Sequence, residues 1–400
     1  MASHRLLPGA DARQGLVALA LNSSTSLVAG AVLGSLTHTF ERRPGLLLLV
    51  PAAIGLRGNV FGSLGNRVST SIHAGDVQLR VRTSTILGQN VLAAGALTLG
   101  MSVVLVLLAA LISVGLGLGP TIGLADLALV SVGGGALASL PVLAATLGLA
   151  AGAVRFGWDL DNVTAPLVST LGDVLTLPAL WLATGLLGFG LVTSSVGWAL
   201  AAAAVVALVA GAVSNLPQLR RIVRTSIPVL VLAGAVSSLA GVALERRLVT
   251  FSALPALLIL VPAHLSSAGA LGGILSGRLS SKLLLGLAPP TAVPARAARD
   301  DLGFVALLSL PVFAINGVGA HLVAGLLGEE SPGLAQLVAA SLLAGMAAML
   351  VVLVIAYYGT IVAVRADIDP DTYGIPLVSS TVDLVGALTL IVAITALGLT

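Results

Sequence analysis

Apolar runs of roughly twenty residues follow one another along this chain, with hardly a polar stretch long enough to fold separately. A run of that length spans the hydrocarbon of a bilayer as one helix, at 1.5 Å per residue. Eleven spans are read, at about 15–37, 45–66, 90–116, 124–153, 163–189, 195–214, 222–243, 252–277, 301–326, 333–363 and 373–398. Composition agrees. Of 400 residues, 57% are hydrophobic and 9% charged, against about 25% charged in soluble domains, and the mean hydropathy is +1.10. The expected fold class is an all-α polytopic membrane protein.

Charge sets the orientation. Placing the N-terminus and every second loop on one side puts 14 Arg and Lys there and 4 on the other, with Arg57 inside a span. By the positive-inside rule the N-terminus is cytoplasmic and the C-terminus extracellular, in a multi-pass cell-membrane protein. The net charge of +3 is too small, and too much confined to loops, for a nucleic-acid face. There is no Cys, which excludes disulfides and thiolate chemistry. The short polar start reads directly into a span and not into a cleavable signal.

The chain also repeats itself. "DLDNVTAPLVSTLGD" (159–173) matches "DPDTYGIPLVSSTVD" (369–383) at seven of fifteen positions with a shift of 210. Residues 50–72 match 261–283 at eight of twenty-three with a shift of 211. This divides the chain into a first repeat (1–190), a linking helix (191–217) and a second repeat (218–400). Five spans per repeat leave the second one inverted, and one extra span corrects that, so the repeats are parallel. Such transporters often place the substrate path between repeats.

Asp173 and Asp383 lie twelve residues beyond Asp161 and Asp371, about 18 Å along a helix, and so near mid-membrane. An ionised Asp there costs about 2.5–3.5 kcal/mol. A divalent cation between the two offsets both burial and mutual repulsion, and oxygen ligands suit Mg²⁺ that keeps several waters. Asp159, Asp161, Asp369 and Asp371 form an acidic mouth in this reading, or helix N-caps, which is compatible. Pro166 and Pro376 free backbone carbonyls, and Ser169 and Ser379 share roughly the face of the mid-span Asp. Gly58, Gly62, Gly269 and Gly273 form two GxxxG pairs that read first as close helix packing and second as pore lining. Asn59 adds a side-chain carbonyl in one repeat. The competing readings are a structural hydrogen-bonding Asp, or Arg57 pairing with one Asp; His264 and His321 lack counterparts and read as incidental.

"PAAIGLRGNVFGSLGNRVST" followed by "DLDNVTAPLVSTLGDVLTL" resembles the MgtE-type magnesium transport domain, most of all its two-repeat branch, solute carrier family 41, with its archaeal members. The resemblance covers nearly the whole chain. It implies a divalent-cation path at the pseudo-two-fold axis, with Asp173 and Asp383 contacting a hydrated ion. Gly269–Ala270 departs from the family's Gly-Asn, and the cytoplasmic Mg²⁺-sensing domains of bacterial relatives are not expected. The expected function is transport of Mg²⁺, with Co²⁺, Mn²⁺ or Ni²⁺ as further candidates. One chain in membrane lipid forms the pore as a pseudo-dimer, with a higher oligomer left open. The alternatives are a Na⁺- or H⁺-coupled Mg²⁺ exchanger and, more remotely, a membrane scaffold. An enzyme is not expected, since no HExxH or GxSxG occurs.

Overall fold

The computed structural model describes residues 8–35, 46–73, 81–117, 122–156, 160–247, 253–284, 286–365 and 370–399. Among them the chain forms eleven long helices. These are α1 (Pro8–Ser35), α2 (Leu46–His73), α3 (Ile86–Gly115), α4 (Leu124–Phe156, with a π-helical turn at Leu129–Gly133), α5 (Leu160–Thr184) and α6 (Leu191–Val213). They continue as α7 (Pro217–Glu245), α8 (Pro255–Leu284), α9 (Arg296–Leu327), α10 (Leu334–Arg365) and α11 (Pro370–Ala396). Ten are long and apolar enough to cross a membrane, and α5 has the shorter described apolar segment Thr170–Thr184. The protein is therefore an all-α, multi-pass membrane protein.

Burial separates centre from periphery. The apolar windows of α2 and α8 are 89% and 94% buried, whereas that of α6 is 22% buried. The two central helices carry glycine, serine and alanine where α6 carries large apolar residues that face outward, such as Val206 and Val213. α6 packs against α3, α4 and α7.

Packing in the first five helices recurs in the last five. α1 lies against α5, α8 and α9; α7 lies against α11, α2 and α3. Each of these helices therefore sits on the fifth helix of its own half and on the second and third helices of the other half. Glycine makes the crossing possible. A Cβ at Gly30 would collide with the backbone carbonyl of Ile259 on α8, and one at Gly241 would come within 2.9 Å of the Leu48 carbonyl on α2. Gly30 and Gly241 are 211 residues apart, as are Leu48 and Ile259, so one contact is made twice.

A second repeated contact joins the second and third helices of each half. Arg67 Nε donates to Asn90 Oδ1 at 2.9 Å, joining α2 to α3. In the other half Arg278 Nε meets Asp301 Oδ1 at 2.9 Å, and Lys282 Nζ meets Asp301 Oδ2 at 2.5 Å. The geometry repeats while the charge differs, because Asn90 is replaced by Asp301.

Filling either glycine contact overpacks a helix crossing. Gly30→Val and Gly241→Val are expected to destabilise the protein by about 1–3 kcal/mol each, read as a lower apparent Tm in detergent, whereas Gly325→Val, which faces open space, leaves it unchanged.

Candidate functional site

The two central helices do not close against each other along their whole length. Between them lies a cavity of about 90 Å³. At the ~10–15 Å³ that each needs, this holds on the order of six waters. From α2 it is lined by Pro51, Gly55, Gly58, Asn59, Gly62 and Asn66. From α8 it is lined by Pro262, Ser266, Gly269, Ala270 and Gly273, with Asp173 entering from α5 and Ser379 and Asp383 from α11. Pro51 and Pro262 lack an N–H, so the carbonyls of Leu47 and Leu258, four residues earlier, lose their helical partners.

The glycines do something other than the packing first expected of a GxxxG pair. A Cβ at Gly58 or Gly269 would meet nothing within 4 Å. These positions keep space open where the cavity lies, and the close helix approach is made by Gly30 and Gly241 instead.

Both mid-helix aspartates reach this one cavity. Asp173 is buried, with 3% exposure, while Asp383 is only half-buried. Ser26 Oγ on α1 donates to Asp173 Oδ2 at 2.7 Å, and Ser266 on α8 is a second hydroxyl beside Asp173, its one proton serving either that carboxylate or Asn22 Oδ1. Ser237 Oγ on α7 donates to Asp383 Oδ2 at 2.6 Å. The position equivalent to Ser266 is Gly55, where a Cβ would lie 3.1 Å from Asp383 Oδ2. So one carboxylate has two hydroxyls beside it and the other has one. A buried polar chain extends only the first side. Thr170 Oγ1 and Ser266 Oγ both donate to Asn22 Oδ1, at 2.8 and 3.0 Å.

Neither aspartate pairs with a described cation. Arg57 is fully buried, but its Nη1 donates to the Ala53 carbonyl of its own helix. Its Nη2 faces Gly135 on α4, where a Cβ would come within 2.5 Å, and its Nε and Nη2 have no hydrogen-bond partner. The Arg57–Asp pairing considered from the sequence is thus not formed: successive helical residues point about 100° apart, so Arg57 turns behind the face on which Gly58 and Asn59 line the cavity. Asn59 Oδ1 is buried without a partner.

Of the other sequence candidates, Pro376 is buried but does not line the cavity. Asp159 and Asp369 lie outside the described residues, as do the side chains of Asp161, Asp371, Pro166 and Ser169. The sequence reading missed Ser26, Ser237, Ser266 and Asn66. A signal for the first two existed: extending the shift of 211 to the first helix of each half aligns Ser26 with Ser237, Gly30 with Gly241 and Leu33 with Leu244. Among the described residues no group of three or more His, Asp or Glu comes together. The site offers an ion two carboxylates, an amide oxygen, hydroxyls and room for water.

A helical membrane protein with an acid-lined, water-sized cavity between two like halves belongs to the class of ion transporters. The profile of the MgtE family, described as a divalent cation transporter, matches residues 50–183 and again 261–393, more than half of the chain, and the chain belongs to that family. It is 25% identical to solute carrier family 41 member 3 of Rattus norvegicus, over 92% of this chain and 84% of that one. It is 28% identical to solute carrier family 41 member 2 of Xenopus laevis over 74% of this chain and 52% of that one, and 30% identical to human member 2 over 44% and 32%. No solved structure matches significantly. The family is one of transporters and not of enzymes.

A buried guanidinium with two unpartnered nitrogens carries a desolvation cost of about 1–3 kcal/mol per unsatisfied group. Arg57→Met is therefore expected to raise the apparent Tm in detergent; a fall would mean that the cation holds α2 to α4.

Proposed function

We propose that the protein moves Mg²⁺ across the membrane, holding a partly hydrated ion between Asp173 and Asp383 in the cavity between α2 and α8. The observation that carries this reading is that two carboxylates from equivalent positions line one small cavity without a described counter-cation. Two like charges in a low-dielectric site repel, and one dication neutralises both. Few protein oxygens converge there, which disfavours Ca²⁺ with its six to eight ligands and favours Mg²⁺, which dehydrates reluctantly and keeps waters. Asn59 Oδ1 and the hydroxyl of Ser379 are the further oxygens available to that hydration shell. Gly58, Gly62, Gly269 and Gly273 keep room for the waters. Co²⁺, Mn²⁺ and Ni²⁺ share the octahedral preference for such ligands and are secondary cargoes.

The division into repeats 1–190 and 218–400 around the linking helix 191–217 is part of the same proposal, with one pore per chain. The N-terminus is cytoplasmic, and Asp159, Asp161, Asp369 and Asp371 draw cations to the inner mouth. Support comes from the asymmetry of Arg and Lys between the two sides and from packing that recurs between α1–α5 and α7–α11.

Uptake of Mg²⁺ into proteoliposomes, followed with an internal indicator dye, tests the site. Asp173→Ala and Asp383→Ala are each expected to lower the initial rate at least tenfold, about 1.4 kcal/mol or more, with thermal unfolding in Mg²⁺-free detergent unimpaired. Wild-type flux in the double variant would contradict the proposal.

A further inference from the structure

Serines and threonines within helices usually turn their hydroxyl back to the carbonyl four residues earlier. In the first helix of each half, Ser24 bonds Ala20, Thr25 bonds Leu21 and Thr225 bonds Arg221 in that way. Ser26 and Ser237 reach across to another helix, and each ends on the Oδ2 of a cavity aspartate. The two are 211 residues apart and their acceptors 210.

Each serine is also fixed in place. Asn22, Ser26 and Gly30 recur every four residues and share a face of α1. Gly30 seats that face on the α8 backbone, and Asn22 is bonded by Thr170 of α5 and Ser266 of α8. On α7 the matching face is Ala233, Ser237 and Gly241, with Gly241 seated on α2. Both hydroxyls are thus held by a helix wedged between its own fifth helix and the second helix of the other half.

The torsion that turns a carboxylate about its Cβ–Cγ bond is broad and weakly restrained. A donor fixed on Oδ2 removes that freedom and leaves the second oxygen to be aimed. We propose that Ser26 and Ser237 are positioning residues for the transported divalent cation: each locks one carboxylate oxygen so that the other is presented to the cavity, and each acts through its aspartate without touching the ion. This rests on the Asp173/Asp383 reading given above.

The test measures initial Mg²⁺ uptake against Mg²⁺ concentration in proteoliposomes. Ser26→Ala and Ser237→Ala are each expected to raise the half-saturating concentration about tenfold, as loss of a charge-assisted hydrogen bond implies, with the maximal rate kept within about twofold. The isosteric Ser26→Cys, a weak donor, falls between serine and alanine. Placed in an Asp173→Asn background, Ser26→Ala adds no further change, whereas in an Asp383→Asn background its effect persists. Unchanged half-saturation in both alanine variants, or an equal effect of Ser26→Ala in the two asparagine backgrounds, overturns the positioning role. If Asp173→Asn and Asp383→Asn themselves transport like the wild type, the reading of the site falls first, and this inference with it.

Discussion

Negative charge inside a low-dielectric medium is the constraint to which the rest of this structure answers. Taking an ionised carboxylate out of water costs several kcal/mol, and a second one in the same cavity adds repulsion. Proteins usually relieve such a charge with an arginine or lysine. One buried arginine is present on the same helix as part of the cavity wall, yet it faces α4 and leaves both carboxylates without a described cation. The chain solvates them instead with serine hydroxyls and a water-sized space. That arrangement suits a site whose counter-charge arrives from outside the protein and leaves again.

The exchange of first helices between the halves makes the cavity possible. α1 and α7 each cross to the opposite half and are pressed there against backbone carbonyls at Gly30 and Gly241. The close packing is thereby moved away from Gly58 and Gly269, which stay open. The wall is symmetric in outline and asymmetric in detail. Ser266 faces Asp173 where Gly55 faces Asp383; Asn59 stands opposite Ala270; Asn90 in one half is a charged Asp301 in the other. Duplicated geometry has been kept, while the chemistry of the two halves has diverged. The half-buried Asp383 and the fully buried Asp173 consequently stand in unequal surroundings.

Much of this was legible in the sequence. Span length located all eleven helices, with ends off by up to seven residues, because hydrocarbon thickness leaves little choice in the number and spacing of spans. The position of Asp173 and Asp383 deep within apolar runs marked them, since a carboxylate there needs a reason. The glycines were harder. A GxxxG pair signals either close approach or open space, and spacing alone does not say which; the neighbouring helix decides, and the approach is made by Gly30, which forms its own GxxxG with Gly34, and by Gly241. Ser26 and Ser237 escaped notice because serine is common in these helices and because their partners lie about 147 residues away in sequence. Arg57 stood out correctly as the cation within a span, but helix phase turned it from the acids.

The most direct measurement is the location of the ion itself. A structure determined with Mn²⁺ in place of Mg²⁺, with anomalous scattering to mark the metal, is expected to show one peak in the cavity between Asp173 and Asp383, lost when both are asparagine. A peak elsewhere in the bundle, with this cavity empty at saturating metal, would contradict the account.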